Sequence, residues 1–195
     1  EHRAAVQAAL PEQLTRLVQM MPDPGWRAQQ MRSFSIGGAI YIAVYLVLKP
    51  YGLTAAQAWE LCEAATRRHF ASLPTLSRWL LGRVMFSSLW KLLSRRLAGR
   101  SRQQLIGGWQ VEYLPFQAGE FDYGINYTRC AIFQLAQDAG AADFAPFICQ
   151  ADVVGSDMFG WGLKRTETLA QGGRRCDFRF RKGQQSEVRF RLPVL

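Results

Sequence analysis

Three thiols and one carboxylate carry the chemistry that can be read from residue types in this chain: Cys130, Cys149, Cys176 and Asp152. A thiolate attacks an electrophilic carbon, and a carboxylate can take and return the proton that such a step moves. Cys130 follows Arg129 at the start of a helix expected over 128–139, where the positive end of the helix dipole favours a thiolate. Cys149 and Asp152 stand three residues apart in a stretch that reads as a helix over 143–155, which predicts a shared face. The carboxylate would raise the neighbouring thiol's pKa, because like charges repel. Activation of Cys149 therefore calls for cations, and Arg165, Arg174 and Arg175 are the candidates. Cys176 opens an expected strand, directly before Asp177. The competing reading of each thiol is a small buried apolar group. Asp152 lies in an otherwise apolar stretch, and a buried carboxylate needs a reason to be there.

Other chemistries find little support. The four cysteines, with Cys62, form no C-x-x-C pair, and His2 and His69 are the only histidines. A zinc ribbon is a poor reading, and neither metal nor cofactor is expected. No Ser-His-Asp or Cys-His triad, Walker A loop or dinucleotide-binding glycine pattern appears. Four cysteines in a chain of 195 residues do not make a disulfide scaffold, and reduced thiols predict a cytoplasmic location. No signal-peptide pattern is visible. The longest apolar run, 36–48, contains two glycines and falls short of the ~20 residues a spanning helix needs. It reads as a core helix, with shallow membrane-surface contact as the lesser option.

Charge adds a preference for anions. Lys and Arg outnumber Asp and Glu by 24 to 15, giving a net charge of +9. Nine of the basic residues lie between Ala64 and Val111, where there is no acid at all. Such an excess suits a carboxylate substrate, an anionic membrane, nucleic acid or an acidic partner, or simply a solvated helix face. No nucleic-acid-binding motif accompanies it, and the aromatics read as core stripes rather than stacking platforms.

The elements that must position these groups divide the chain in two. Helices are expected over 4–21, 31–48, 55–71 with Thr54 as N-cap, and 76–98 with Thr75 as N-cap. The last of these carries an apolar stripe of Trp79, Leu80, Phe86, Trp90, Leu93 and Leu97. After Gly107-Gly108 the pattern changes. Strands are expected over 109–114, 161–170 and 175–181, with a tight hairpin turn at Gln171-Gly172-Gly173-Arg174 and a last short strand over 187–192. In Arg165-Thr166-Glu167, strand alternation would put Arg165 and Glu167 on one face as an ion pair. The fold class this order predicts is α+β, with a helical N-terminal half packed on a C-terminal mixed unit that holds a small antiparallel sheet. One domain over 1–195 is expected, with a helical part over 1–100 and the mixed unit over 107–182.

Several strings in the mixed unit resemble one family. They are Tyr127-Thr128-Arg129-Cys130, Phe147-Ile148-Cys149 with Asp152, Arg165 through Gly172, and Cys176-Asp177-Phe178-Arg179-Phe180. Together they resemble the L-2-amino-thiazoline-4-carboxylic acid hydrolase family over about 107–182. The closing Gly-Gly-x-x-Cys-Asp-Phe-Arg-Phe element also looks like the end of small-ligand-sensing domains of the vinyl-reductase type. The resemblance implies a hydrolase that opens a small cyclic amidine at a C–N bond and yields N-carbamoyl-L-cysteine. Cys130, Cys149, Asp152 and Cys176 match the family's recurring polar positions. On this reading one thiolate attacks the amidine carbon and Asp152 manages protons. Arg165 binds the substrate carboxylate, with Asn126 and Thr166 as further substrate contacts. The alternative is a non-catalytic ligand-binding or regulatory domain that uses the same pocket.

Overall fold

A computed structural model of the protein describes residues 3–189. His2 and residues 190–192 of the expected last strand lie outside the described residues. The helical half consists of α1 (Arg3–Met20), α2 (Gln29–Leu48), α3 (Ala55–Ser72), α4 (Thr75–Val84) and α5 (Ser88–Ser101). The mixed half follows as β1 (Gln110–Leu114), β2 (Tyr123–Arg129), α6 (Ala131–Asp138), α7 (Ala145–Ile148), α8 (Ala151–Phe159), β3 (Leu163–Arg165), β4 (Cys176–Phe180) and β5 (Glu187–Val188).

Helix α2 is the packing centre of the helical half. By length and composition it could cross a membrane, but here it packs against α1, α3, α6 and α7. Ala39, Ile42, Ala43 and Tyr45 join Trp59 of α3 and Leu135 of α6 in one buried cluster. Gly38 permits this closeness, since a Cβ there would stand 2.6 Å from Ile132 side-chain carbons of α6. Helix α3 starts on the expected cap. The Thr54 hydroxyl accepts from the Gln57 amide at 3.3 Å, and the Gln57 side chain accepts from the Thr54 amide at 2.9 Å. This reciprocal pair satisfies two of the donors a helix start leaves open.

The helix expected over 76–98 is two helices. Ser87 interrupts it in extended conformation and caps α5, its hydroxyl accepting from the Trp90 amide at 3.2 Å. Thr75 is not a cap either. It is the first residue of α4, and Pro74 holds the N-cap position without a side-chain hydrogen bond. Half of the expected apolar stripe also faces outward: Trp79, Leu80 and Leu93 are exposed, while Phe86 and Trp90 pack on the sheet.

The sheet has the order β1-β2-β4-β3-β5. Its first three pairings are antiparallel as expected, and the two-residue β5 adds on parallel to β3. Strand β2 sits inside the sheet, yet its sequence of aromatics mixed with Asp122 and Asn126 gave no strand expectation. It continues to Arg129, so α6 begins at Ala131 instead of at 128. The strand expected over 161–170 is only three residues long, and no tight hairpin joins it to β4. Residues 166–175 form a loop with a short 3-10 turn at Leu169–Gln171. Asp177 fixes that loop: its carboxylate accepts from the Thr166 amide, the Thr166 hydroxyl and the Glu167 amide at 2.7–2.8 Å. Three short bonds to one carboxylate outweigh the turn propensity of the glycines.

Candidate functional site

Strand alternation sorts the sheet into two faces. Tyr123, Ile125 and Tyr127 of β2 stand opposite Phe180, Phe178 and Cys176 of β4 and share one face with them. Asn126, Asp177 and Arg179 belong to the other. Between the first face and helices α2, α6, α7 and α8 lies a cavity of about 320 Å³. That size is at the small end of the roughly 300–1,000 Å³ usual for small-molecule sites. Cys130, Cys149, Cys176, Asp152 and Arg165 all line it.

Each of these groups arrives by a different local device. Cys130 is the N-cap of α6, and its sulfur accepts from the Phe133 amide at 3.4 Å. Cys149 is the C-cap of α7, and Asp152 sits in the first turn of α8. The helix expected over 143–155 is therefore broken between the thiol and the carboxylate, though both reach the same cavity. Cys176 is the first residue of β4, and its sulfur accepts from the Leu169 amide at 3.3 Å. Arg165 ends β3 and is the largest fully buried side chain, with 1% of its area accessible.

Arg165 organises the charge in the cavity. Its Nη1 donates to Asp152 Oδ2 at 2.9 Å, and its Nη2 donates to the Cys149 carbonyl at 2.6 Å. The guanidinium also lies 5.0 Å from the centroid of the Phe178 ring, a cation–π contact. Asp152 combines depth with access: 48% of its side chain is accessible, and that side chain forms cavity wall. Burial pushes the Asp152 carboxyl above its usual range, while the charge and hydrogen bond of Arg165 pull it back. The net direction is upward, tempered by water that the cavity can admit. Among the described residues, Asp152 and Arg165 are the only formally charged groups on this wall.

The thiols differ from the expectation. The start of α6 does act on Cys130 through the Phe133 amide, but burial is the larger influence and pushes the thiol up to about 12. Cys176 rises to about 11 for the same reason. Cys149 is also pushed up by burial, against the pull of Arg165. All three are protonated thiols at neutral pH. Of the cations proposed to activate Cys149, Arg165 is in place, whereas Arg175 pairs with Glu167 at 3.0 Å. Arg165 and Glu167 consequently form no ion pair with each other; the strand ends between them.

Two expected substrate contacts lie off the wall. The Asn126 amide donates to Glu112 at 3.1 Å and its oxygen accepts from Arg179 at 2.9 Å, on the opposite sheet face. Thr166 is tied to Asp177. Conversely, Tyr127, Tyr41 and Gly37 line the cavity and carried no expectation. Burial holds the Tyr127 phenol protonated, and Asp152, Cys130 and Cys176 push it in the same direction. Gly37 leaves open space where a Cβ would stand. Two adjacent glycines inside an apolar helix were the readable signal, since each costs about 1 kcal/mol there unless backbone proximity or room is needed.

Residues 36–180 match the family model described as L-2-amino-thiazoline-4-carboxylic acid hydrolase. The match takes in α3 to α5 and most of α2 as well as the mixed half up to the end of β4. No curated protein and no solved structure matches significantly.

Proposed function

The chain belongs to the L-2-amino-thiazoline-4-carboxylic acid hydrolase family, and from that premise we propose that it hydrolyses a small cyclic amidine bearing a carboxylate, in the cavity around Asp152 and Arg165. The observation that carries the reading is the single ion pair in an otherwise apolar enclosure. A zwitterionic substrate, amidinium at one end and carboxylate at the other, is complementary to an Asp⁻–Arg⁺ pair. Tyr127, a neutral phenol near Asp152, offers an O–H donor to the bound ring.

Atom balance fixes the bond that must break. Water adds across the C=N of the amidine. Its oxygen becomes the carbonyl oxygen of an N-carbamoyl product only if the bond from that carbon to the ring sulfur is the one cleaved. Breaking the ring C–N bond instead would leave the carbamoyl group on sulfur, so the C–N cleavage expected from the resemblance is replaced here by C–S cleavage. Of the two water protons, one ends on the ring nitrogen and the other on the departing sulfur. A carboxylate with a raised pKa is suited to take a proton from water and return it to a leaving group. When Asp152 accepts the proton, the Arg165 charge loses its counter-ion and turns toward the substrate carboxylate. The protonated state of the three thiols favours water over cysteine as the attacking group.

The test is turnover of 2-amino-thiazoline-4-carboxylate followed by titration of the released thiol. Asp152→Asn is expected to lower kcat by about 10²–10⁴-fold, the range for loss of a general acid–base, and to weaken ligand binding far less than turnover. Cys130→Ser, Cys149→Ser and Cys176→Ser are expected to keep most of the activity. Loss of turnover in one thiol variant, with a trapped adduct on that sulfur, would replace water by a covalent route. Tight binding without turnover would favour the non-catalytic ligand-binding reading.

A further inference from the structure

Helix α4 is built inside out. Leu76, Trp79, Leu80 and Val84 recur at the spacing of one helix face, and all four are exposed; Leu76 has 67% of its area accessible. No residue of α4 is buried. Helix α5 repeats the pattern with Leu89, at 66%, and Leu92. Apolar faces of this kind, exposed among the described residues, mark interaction surfaces.

The charge around this face identifies the occupant. From Ala64 to Val111 there is no acid, and Arg78, Arg83, Lys91, Arg95 and Arg96 are interleaved with the exposed leucines. An open groove of about 400 Å³ runs beside α4, where Arg78, Trp79 and Arg83 face Lys182. Among the described residues no carboxylate lines it, and Asp157, exposed on the neighbouring α8, is not part of its wall. Arg83 stacks over Trp79 at 4.2 Å. Three cations, Arg78, Arg83 and Lys182, around one open groove fit a phosphate group. Leucines and a tryptophan beside that groove fit the boundary between headgroups and acyl chains.

We infer that the α4–α5 face docks on an anionic phospholipid surface, with a headgroup phosphate in the groove of Arg78, Arg83 and Lys182. The helices are ten and fourteen residues long, too short to span, so the contact is peripheral. The apolar face supplies burial into the interface and the cations supply attraction that salt weakens.

The experiment is co-sedimentation of the full chain with vesicles of phosphatidylcholine alone and of phosphatidylcholine mixed with phosphatidylglycerol, at low and high salt. Binding is expected only to the anionic vesicles, and weaker in high salt. Arg83→Gln and Lys182→Gln are each expected to lower partitioning about fivefold, the change that loss of one basic residue near an anionic surface brings. Leu76→Ser with Leu80→Ser should abolish sedimentation while circular dichroism stays unchanged; if that pair fails to fold, the charge variants carry the test. Equal binding to neutral vesicles, no binding, or unchanged binding by the variants would overturn the inference. So would displacement by millimolar inorganic phosphate alone, which would make the groove a free-anion site. Light scattering that shows a dimer dissociated by the same leucine substitutions would assign the face to a second copy.

Discussion

Replacing Arg165 by Met tests the electrostatic logic of the cavity most directly. Methionine keeps much of the apolar volume against Phe178 and removes the charge and both donors. Losing one partner of a buried ion pair costs about 3–5 kcal/mol. The Asp152 side chain is 48% accessible to the cavity, so water can solvate the abandoned carboxylate, and the lower end, about 3 kcal/mol, applies. For a chain of this size each kcal/mol shifts Tm by about 2–4 °C, so the expected loss is about 6–12 °C near neutral pH. The cost must also depend on pH. Burial already holds Asp152 above its unfolded value of 3.8, and the two influences that lower it both come from Arg165. Their removal drives the folded value further up. A carboxyl whose folded pKa exceeds its unfolded one costs stability as pH rises through the folded value, because there the folded state binds more protons than the unfolded. The deficit of Arg165→Met should therefore be larger at pH 8 than at pH 5, where more of Asp152 is protonated. Adding Asp152→Asn should recover about 2 kcal/mol, since the double variant leaves no unpaired charge. Thermal melts of the unaltered chain, Arg165→Met, Asp152→Asn and the double variant at both pH values measure all of this. An equal deficit at pH 5 and pH 8, or a double variant no more stable than Arg165→Met, would refute the reasoning.

Three further outcomes follow from the geometry. Iodoacetamide should modify Cys130 about a thousandfold more slowly at pH 8 than a free thiol of pKa 9.0, because its own value is about 12 and the thiolate is the reactive form; mass spectrometry of timed samples checks this. Ser35→Ala should cost about 1–3 kcal/mol in denaturant melts, because the buried Trp109 indole N–H donates to that hydroxyl at 3.0 Å and would be left unpaired. Gly162→Ala should prevent stable folding, seen as loss of the cooperative melt: φ is +60° and a Cβ would stand 2.0 Å from the Arg181 carbonyl oxygen.

The division into a helical half and a mixed half was legible because each helix carries its own punctuation. Thr54 with Gln57, and Pro74 after α3, are local signals that the structure keeps. The misread segments are those where a distant partner decides. Ser87 ends one helix and starts another within a run of residues that all favour helix, so periodicity continued across it. Strand β2 is held by neighbours on both sides, and its alternation of Tyr123, Ile125 and Tyr127 with Gly124, Asn126 and Thr128 reads as half-buried only once those neighbours are known. The 171–174 segment has turn residues, but the carboxylate of Asp177 reaches over from β4 and holds the loop open. An unpartnered face was equally invisible: Leu76, Trp79 and Leu80 have the spacing of a core stripe, and spacing alone does not say which side the core is on.

The candidate site was legible as a set of residues and illegible as a set of charge states. Cys130, Cys149, Cys176, Asp152 and Arg165 come from five different elements or caps and reach one cavity. Their ionisation was inferred from sequence neighbours, which capture the helix start before Cys130 but not what surrounds it. A helix N-terminus is worth about 0.3–1 kcal/mol to an anion at an exposed site, up to ~2 kcal/mol partly buried. Burial of a lone ionised group without a partner cation costs more than that, and the balance runs against the thiolate. Burial pushes Asp152 up as well, but Arg165 opposes that push with a charge and a hydrogen bond that Cys130 lacks. Of these groups, the carboxylate is the one whose upward push by burial is opposed by both the charge and a hydrogen bond of Arg165. The proposed hydrolysis accordingly rests on Asp152, with the thiols as a polarisable wall around it.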